Sequence, residues 1–94
     1  MDESLRKSAE VIRAVARRHG ASRLRVFGSR ARDQARPDSD LDLLVELEPD
    51  RTLLDLIAFR QDLEDALGCR VDVVTESALS PYLRDEVLAQ ARPL

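Results

Sequence analysis

The run Leu41-Asp42-Leu43-Leu44-Val45-Glu46-Leu47 constrains this chain more than any other segment. It is the most strand-like apolar stretch in the sequence, and Glu48-Pro49-Asp50 stops it. Around it the hydrophobic period alternates between helix and strand. Leu5, Ala9, Ile12, Val15, Ala16 and His19 recur at helical spacing, with Gly20 suited to end that helix. Leu24 to Phe27 reads as a short strand running into Gly28, and Ser29 to Ala35 as a helical turn or two closed before Pro37. After the central strand, Thr52 with Asp55 resembles a capping box. Leu56, Phe59, Leu63, Ala66 and Leu67 form the stripe of the next helix, which Gly68 ends. Val71 to Thr75 is a third strand. Ser80-Pro81 opens a last helix whose stripe is Leu83, Val87 and Leu88. The expected order is α-β-α-β-α-β-α, an α/β fold with a small three-stranded mixed sheet covered by helices. No repeat, linker or low-complexity segment interrupts it, so residues 1–94 read as one domain.

Composition narrows the function classes. With 3% aromatic residues, the core must be built mostly from Leu, Val, Ala and Ile. The formal net charge of −3 disfavours a general binder of nucleic-acid phosphates. No apolar run approaches the roughly 20 residues needed to cross a bilayer. The opening Met1-Asp2-Glu3 has the wrong charge for a secretory signal, and the single cysteine, Cys69, cannot form an internal disulfide. The expectation is a cytoplasmic protein with no membrane and no direct nucleic-acid partner.

Three features carry chemistry. Gly28-Ser29 lies between a strand and a short helix, where glycine admits a phosphate to the backbone and the helix start offers unpaired N–H groups. The same pair is also an ordinary turn with an N-cap. Asp40 and Asp42 alternate with Leu41 and Leu43, so both carboxylates point to one face of the strand. Hard oxygen ligands of this kind suit Mg²⁺ or Mn²⁺, although a solvated strand end has the same pattern. Asp72 interrupts the apolar Val71-Asp72-Val73-Val74, where an unpaired carboxylate is costly to bury. It belongs either with Asp40 and Asp42, if the strands are neighbours, or to the wet face of an edge strand. Together the carboxylates would suit two metal ions about 3.5–4 Å apart, clamping the attacking and leaving oxygens of a displacement at phosphorus. Gly28 and Ser29 would then hold the outgoing phosphates. Arg30 and Arg32 would neutralise the same charge, or else form a solvated basic face.

Other motifs fail on inspection. Asp38, Asp40 and Asp42 imitate a calcium loop, but its glycine and glutamate places hold Leu43 and Pro49. No Walker A triplet occurs. One histidine (His19) and one cysteine cannot build a zinc site.

The stretch Phe27-Gly28-Ser29-Arg30-Ala31-Arg32, followed by Ser39-Asp40-Leu41-Asp42-Leu43-Leu44-Val45, resembles the signature of the DNA polymerase β-type nucleotidyltransferase superfamily. Over nearly the whole chain, including Leu79-Ser80-Pro81, it is similar to the minimal nucleotidyltransferase branch. The resemblance implies the minimal nucleotidyltransferase fold. It also implies an antitoxin that transfers AMP from ATP to a tyrosine of a HEPN-domain RNase toxin, with possible assembly into an oligomer with that toxin. On that resemblance Gly28 and Ser29 bind the nucleotide phosphates, Asp40 and Asp42 bind Mg²⁺, and Asp72 completes the metal site or acts as general base. One departure stands out: Asp33 occupies a position where the family usually has glycine. An antitoxin that neutralises by binding alone, with a weakened nucleotide site, is the alternative this departure favours. Transfer to a small molecule is a further alternative, for which so short a chain leaves little substrate-binding structure. With a separate protein as acceptor, the Arg-rich and Leu-rich surfaces of the first and last helices are candidate contacts, or else ordinary amphipathic faces.

Overall fold

The computed structural model describes residues 3–28, 30–31 and 40–94, with the side chains of residues 3 and 4 left aside. Helix α1 (Glu3–Arg18) leads through Gly20 into strand β1 (Ala21–Phe27). Strand β2 (Leu41–Leu47) is followed by α2 (Leu53–Leu67), β3 (Val71–Thr75), a 3₁₀ turn (Glu76–Ala78), α3 (Pro81–Gln90) and β4 (Arg92–Pro93). The sheet order is β3-β2-β1-β4. β2 and β3 run parallel, joined by the α2 crossover, while β1 is antiparallel to β2 and to β4.

Alternation along the strands builds two unlike faces. On the first, Val26, Leu41, Leu43, Val45 and Val71 are buried against Leu5, Ile12, Val15 and Ala16 of α1 and Phe59 and Leu63 of α2. Each fully buried side chain of this size stabilises the fold by about 1.5–3 kcal/mol relative to exposure. Helix α2 starts at Thr52, whose backbone N–H donates to Asp55 Oδ2 at 2.8 Å, and stops at Gly68 in the left-handed conformation (φ 69). On the second face Asp42, Leu44 and Glu46 alternate with the core residues. Arg25, the neighbour of Val26, reaches from this face to Glu76 of the 3₁₀ turn at 3.7 Å, and α3 packs beside β1.

The sheet has four strands rather than three. The addition is the two-residue β4, too short for any periodicity to reveal. It pairs at the edge beside β1, where a proline costs little, and Leu94 N–H donates to Leu24 O at 3.1 Å. β1 also begins at Ala21, three residues before the expected Leu24. Helix α3 opens at Pro81 as expected, but its stripe is not a core stripe: none of its residues is buried, and Leu83 is 53% exposed. Of the expected segment 29–35, Arg30 and Ala31 form a turn and the rest lies outside the described residues. Among the described residues, no helix is long and apolar enough to cross a membrane.

Candidate active site

The carboxylates meet because of register. In the parallel β2–β3 ladder Leu41 stands beside Val71 and Asp42 beside Asp72, and Leu41 N–H donates to Arg70 O at 2.9 Å to fix the start of both strands. With Leu41 and Val71 both in the core, Asp42 and Asp72 share the opposite face. Asp40 stands just ahead of β2. Asp42 is half-buried, while Asp40 and Asp72 are exposed. Burial pushes the Asp42 carboxyl above the usual range, and the neighbouring charges of Asp72 and then Asp40 push it the same way. β3 is at the same time an edge strand, so both readings of Asp72 hold together: it is wet, and it joins the acidic group.

β1 closes the site from the other side. Phe27 pairs with Asp42, so Gly28 follows directly beside that carboxylate. Its φ of 74 lies in the region that favours glycine, and a Cβ added there would overlap Asp42 Oδ2. The backbone at Gly28 therefore approaches the carboxylate as closely as it does only because the side chain is missing. Arg30 is 4% exposed, the one buried charged residue among the described residues, which removes the solvated-face reading for it. Ser29 and Arg32 lie outside the described residues, as does Asp33.

A residue that periodicity does not single out also borders the site. Arg60 of α2 lines a cleft of about 110 Å³ with Asp40, Glu64, Arg70 and Asp72, and a second of about 310 Å³ with Asp72 and Val73. The sequence marks Arg60 only as the neighbour of Phe59, without showing which flank of α2 borders the sheet edge. Glu64 in the same cleft accepts from Val71 N–H at 3.1 Å, tying α2 to the start of β3.

A larger cavity than either, about 620 Å³, lies elsewhere, at the far ends of β2 and β3. Its charged groups already neutralise one another. Arg51 pairs with Glu48 at 3.2 Å and Asp55 at 3.5 Å, and Glu76 with Arg84 at 3.2 Å. Size therefore does not mark the chemistry; the unbalanced carboxylates do. His19 and Cys69 play no part in it. His19 Nε2 bonds Asp62 Oδ2 at 2.6 Å and packs on Phe59, and Cys69 is a half-buried free thiol.

The donor set of Asp40, Asp42 and Asp72 is all hard oxygen, and the repulsion carried by Asp42 is what a divalent cation would relieve. In these side-chain conformations, no group of three acidic, histidine or cysteine residues among the described residues is drawn together tightly enough to hold a metal ion. Asp40, Asp42 and Asp72 are the residues that would hold such an ion, and of these Asp40 and Asp72 are exposed.

The pattern of the nucleotidyltransferase domain matches residues 8–94. The protein adenylyltransferase MntA of Thermococcus cleftensis is 41% identical over 73 residues, 78% of this chain and 74% of that one. A Methanocaldococcus jannaschii protein assigned as a protein adenylyltransferase is 42% identical over 74 residues, 79% and 80% of the two chains. A solved structure assigned as a minimal nucleotidyltransferase superposes with a TM-score of 0.85 at 55% identity, covering 100% of this chain and 97% of that one. A toxin–antitoxin crystal structure with AMP-PNP superposes with a TM-score of 0.76 at 23% identity, covering 89% and 69%, a likeness of fold.

Proposed function

We propose, because the chain belongs to the nucleotidyltransferase domain family, that it transfers AMP from Mg²⁺-ATP to a tyrosine hydroxyl of a separate protein. We take that protein to be a HEPN-domain RNase toxin, which makes this chain a cytoplasmic antitoxin. The observation that carries the reading is the pairing of Asp42 with Asp72 beside Gly28, whose missing side chain lets the backbone lie against the Asp42 carboxylate. The names of the relatives as protein adenylyltransferases support the acceptor class.

In this reading Asp40 and Asp42 hold Mg²⁺, and Asp72 joins them or takes the proton from the attacking hydroxyl. When bound, the ions supply Lewis-acid stabilisation of charge at phosphorus. The tyrosine oxygen forms a bond to the α-phosphorus as the bond to the bridging oxygen breaks, and pyrophosphate leaves. Backbone N–H groups at Gly28 and Ser29 hold the departing phosphates. Arg32 and the buried Arg30 add positive charge beside them. A raised Asp42 carboxyl is consistent with an acidic group organised for a cation rather than for the free state.

Mass spectrometry of the co-purified partner after incubation with Mg²⁺-ATP tests this. Asp42→Asn and Asp72→Asn should each abolish addition of AMP to the partner's tyrosine while the fold persists by circular dichroism. Undiminished modification by both variants would overturn the mechanism. Asp33, standing where the family usually has glycine, favours a second reading in which the chain neutralises its partner by occlusion. There Asp42→Asn would still protect cells from the toxin.

A further inference from the structure

Charge is distributed unevenly in this chain. Residues 1–39 hold ten of its fifteen Lys and Arg, and residues 40–94 hold thirteen of its eighteen Asp and Glu. Part of the basic half gathers at one place. Arg13 and Arg17 on α1 and Arg23 on β1 line a shallow cavity of about 280 Å³ whose floor includes Ala16, Leu24 and Leu94.

The backbone beneath this cavity is irregular in a way that aims a side chain into it. The register of β1 against β2 shifts between Ser22 and Arg25, a bulge, and Arg23 within it has a φ of 50 in the left-handed region. A bulge redirects the side chains it carries, and a non-glycine residue held there is strained, a pattern that accompanies functional sites. The pairing of Arg23 with Glu46 at 3.0 Å does not account for it, since both side chains are more than half exposed and wet pairs contribute little. Arg13 is anchored by donating to Leu94 O at 2.9 Å. Arg17 is exposed and has no ion pair among the described residues.

We infer that this groove docks an acidic, partly apolar segment of the acceptor protein, an assignment that rests on the proposed transfer to a protein. Apolar floor and arginine rim together suit a leucine or alanine flanked by Asp or Glu. A nucleic acid fits less well. No aromatic residue lines the groove to stack a base, and the acidic remainder of the chain repels an extended polyanion. The groove is not part of the phosphate cradle: it lies at the Ala21 end of β1, about 20 Å along the strand from Gly28.

The test uses a short fluorescein-labelled peptide of Asp, Glu and Leu, a lysine counterpart, and a single-stranded RNA of equal length. Anisotropy reads affinity and amide shifts in ¹⁵N-labelled protein read location. The acidic peptide should bind, more weakly as salt is added, and perturb Arg17, Arg23, Leu24 and Leu94. Arg17→Glu should weaken it about fivefold and Arg17→Lys should retain it. Equal affinity of Arg17→Glu, tighter binding of the RNA, shifts confined to other surfaces, or no binding of the acidic peptide would each overturn the inference. The assay needs neither nucleotide nor metal, so docking can fail while transfer stands, and transfer can fail in Asp42→Asn while docking stands.

Discussion

Asp42 bears the electrostatic cost of the site, and pH exposes it. Its carboxyl titrates above the ordinary value of 3.8 in the folded chain, chiefly through burial and then through Asp72 and Asp40. The folded state therefore holds the proton more tightly than the unfolded state. Stability falls as pH rises through the window between the ordinary and the raised value, and stays lower above it. Asp42→Asn removes that loss. It should stabilise the metal-free protein modestly at pH 7, since solvent still reaches the half-buried group. The gain should vanish below the ordinary carboxylate range, as thermal melts across pH would report. Added Mg²⁺ should raise the melting temperature of the parent chain and leave Asp42→Asn unmoved. Gly28→Ala acts in the opposite direction, since it places a side chain at φ 74 and against the Asp42 carboxylate. Urea unfolding should show a loss of about 1–2 kcal/mol. At this scale the residue types were legible: Asp40, Asp42 and Gly28 stand out by pattern. What pattern does not contain is the contact of Gly28 with Asp42, because that depends on how β1 pairs with β2.

Two leucines in two helices show what periodicity can and cannot tell about an element. Leu63 of α2 and Leu83 of α3 each sit in a helical apolar pattern, yet Leu63 is fully buried and Leu83 is 53% exposed. Leu63→Ala should destabilise the domain by about 2–4 kcal/mol, whereas Leu83→Ala should change it by no more than about 0.5 kcal/mol, both measured by urea unfolding. Periodicity shows that a helix has an apolar face; it does not say what covers that face. For α2 the cover is the sheet and α1, and the stripe through Phe59 and Leu63 was readable. For α3 the described residues supply little cover, so the same kind of pattern misled. β2 and β3 were legible to the residue because compact apolar runs end in turn residues. β4 was not, since two residues carry no period and its pairing is decided by where α3 delivers the chain.

The whole molecule determines which of these pieces meet. A parallel crossover through α2 sets β3 beside β2 and so Asp72 beside Asp42. The antiparallel return from β1 brings Gly28 to the same carboxylate, and carries Arg23 to the opposite end of the sheet. Chemistry and basic groove are thus held about 20 Å apart on one rigid strand. A large acceptor can span that distance and a small one cannot, which makes the two sites separable in kinetics. Arg17→Glu should raise KM for the protein acceptor about fivefold while kcat is unchanged, because the groove contributes equally to ground and transition states. The rise should shrink as salt is added, since screening removes the attraction that the variant has already lost. Equal loss of kcat and kcat/KM would instead mean that Arg17 acts on the reacting groups, which the length of β1 does not permit without a change in the fold.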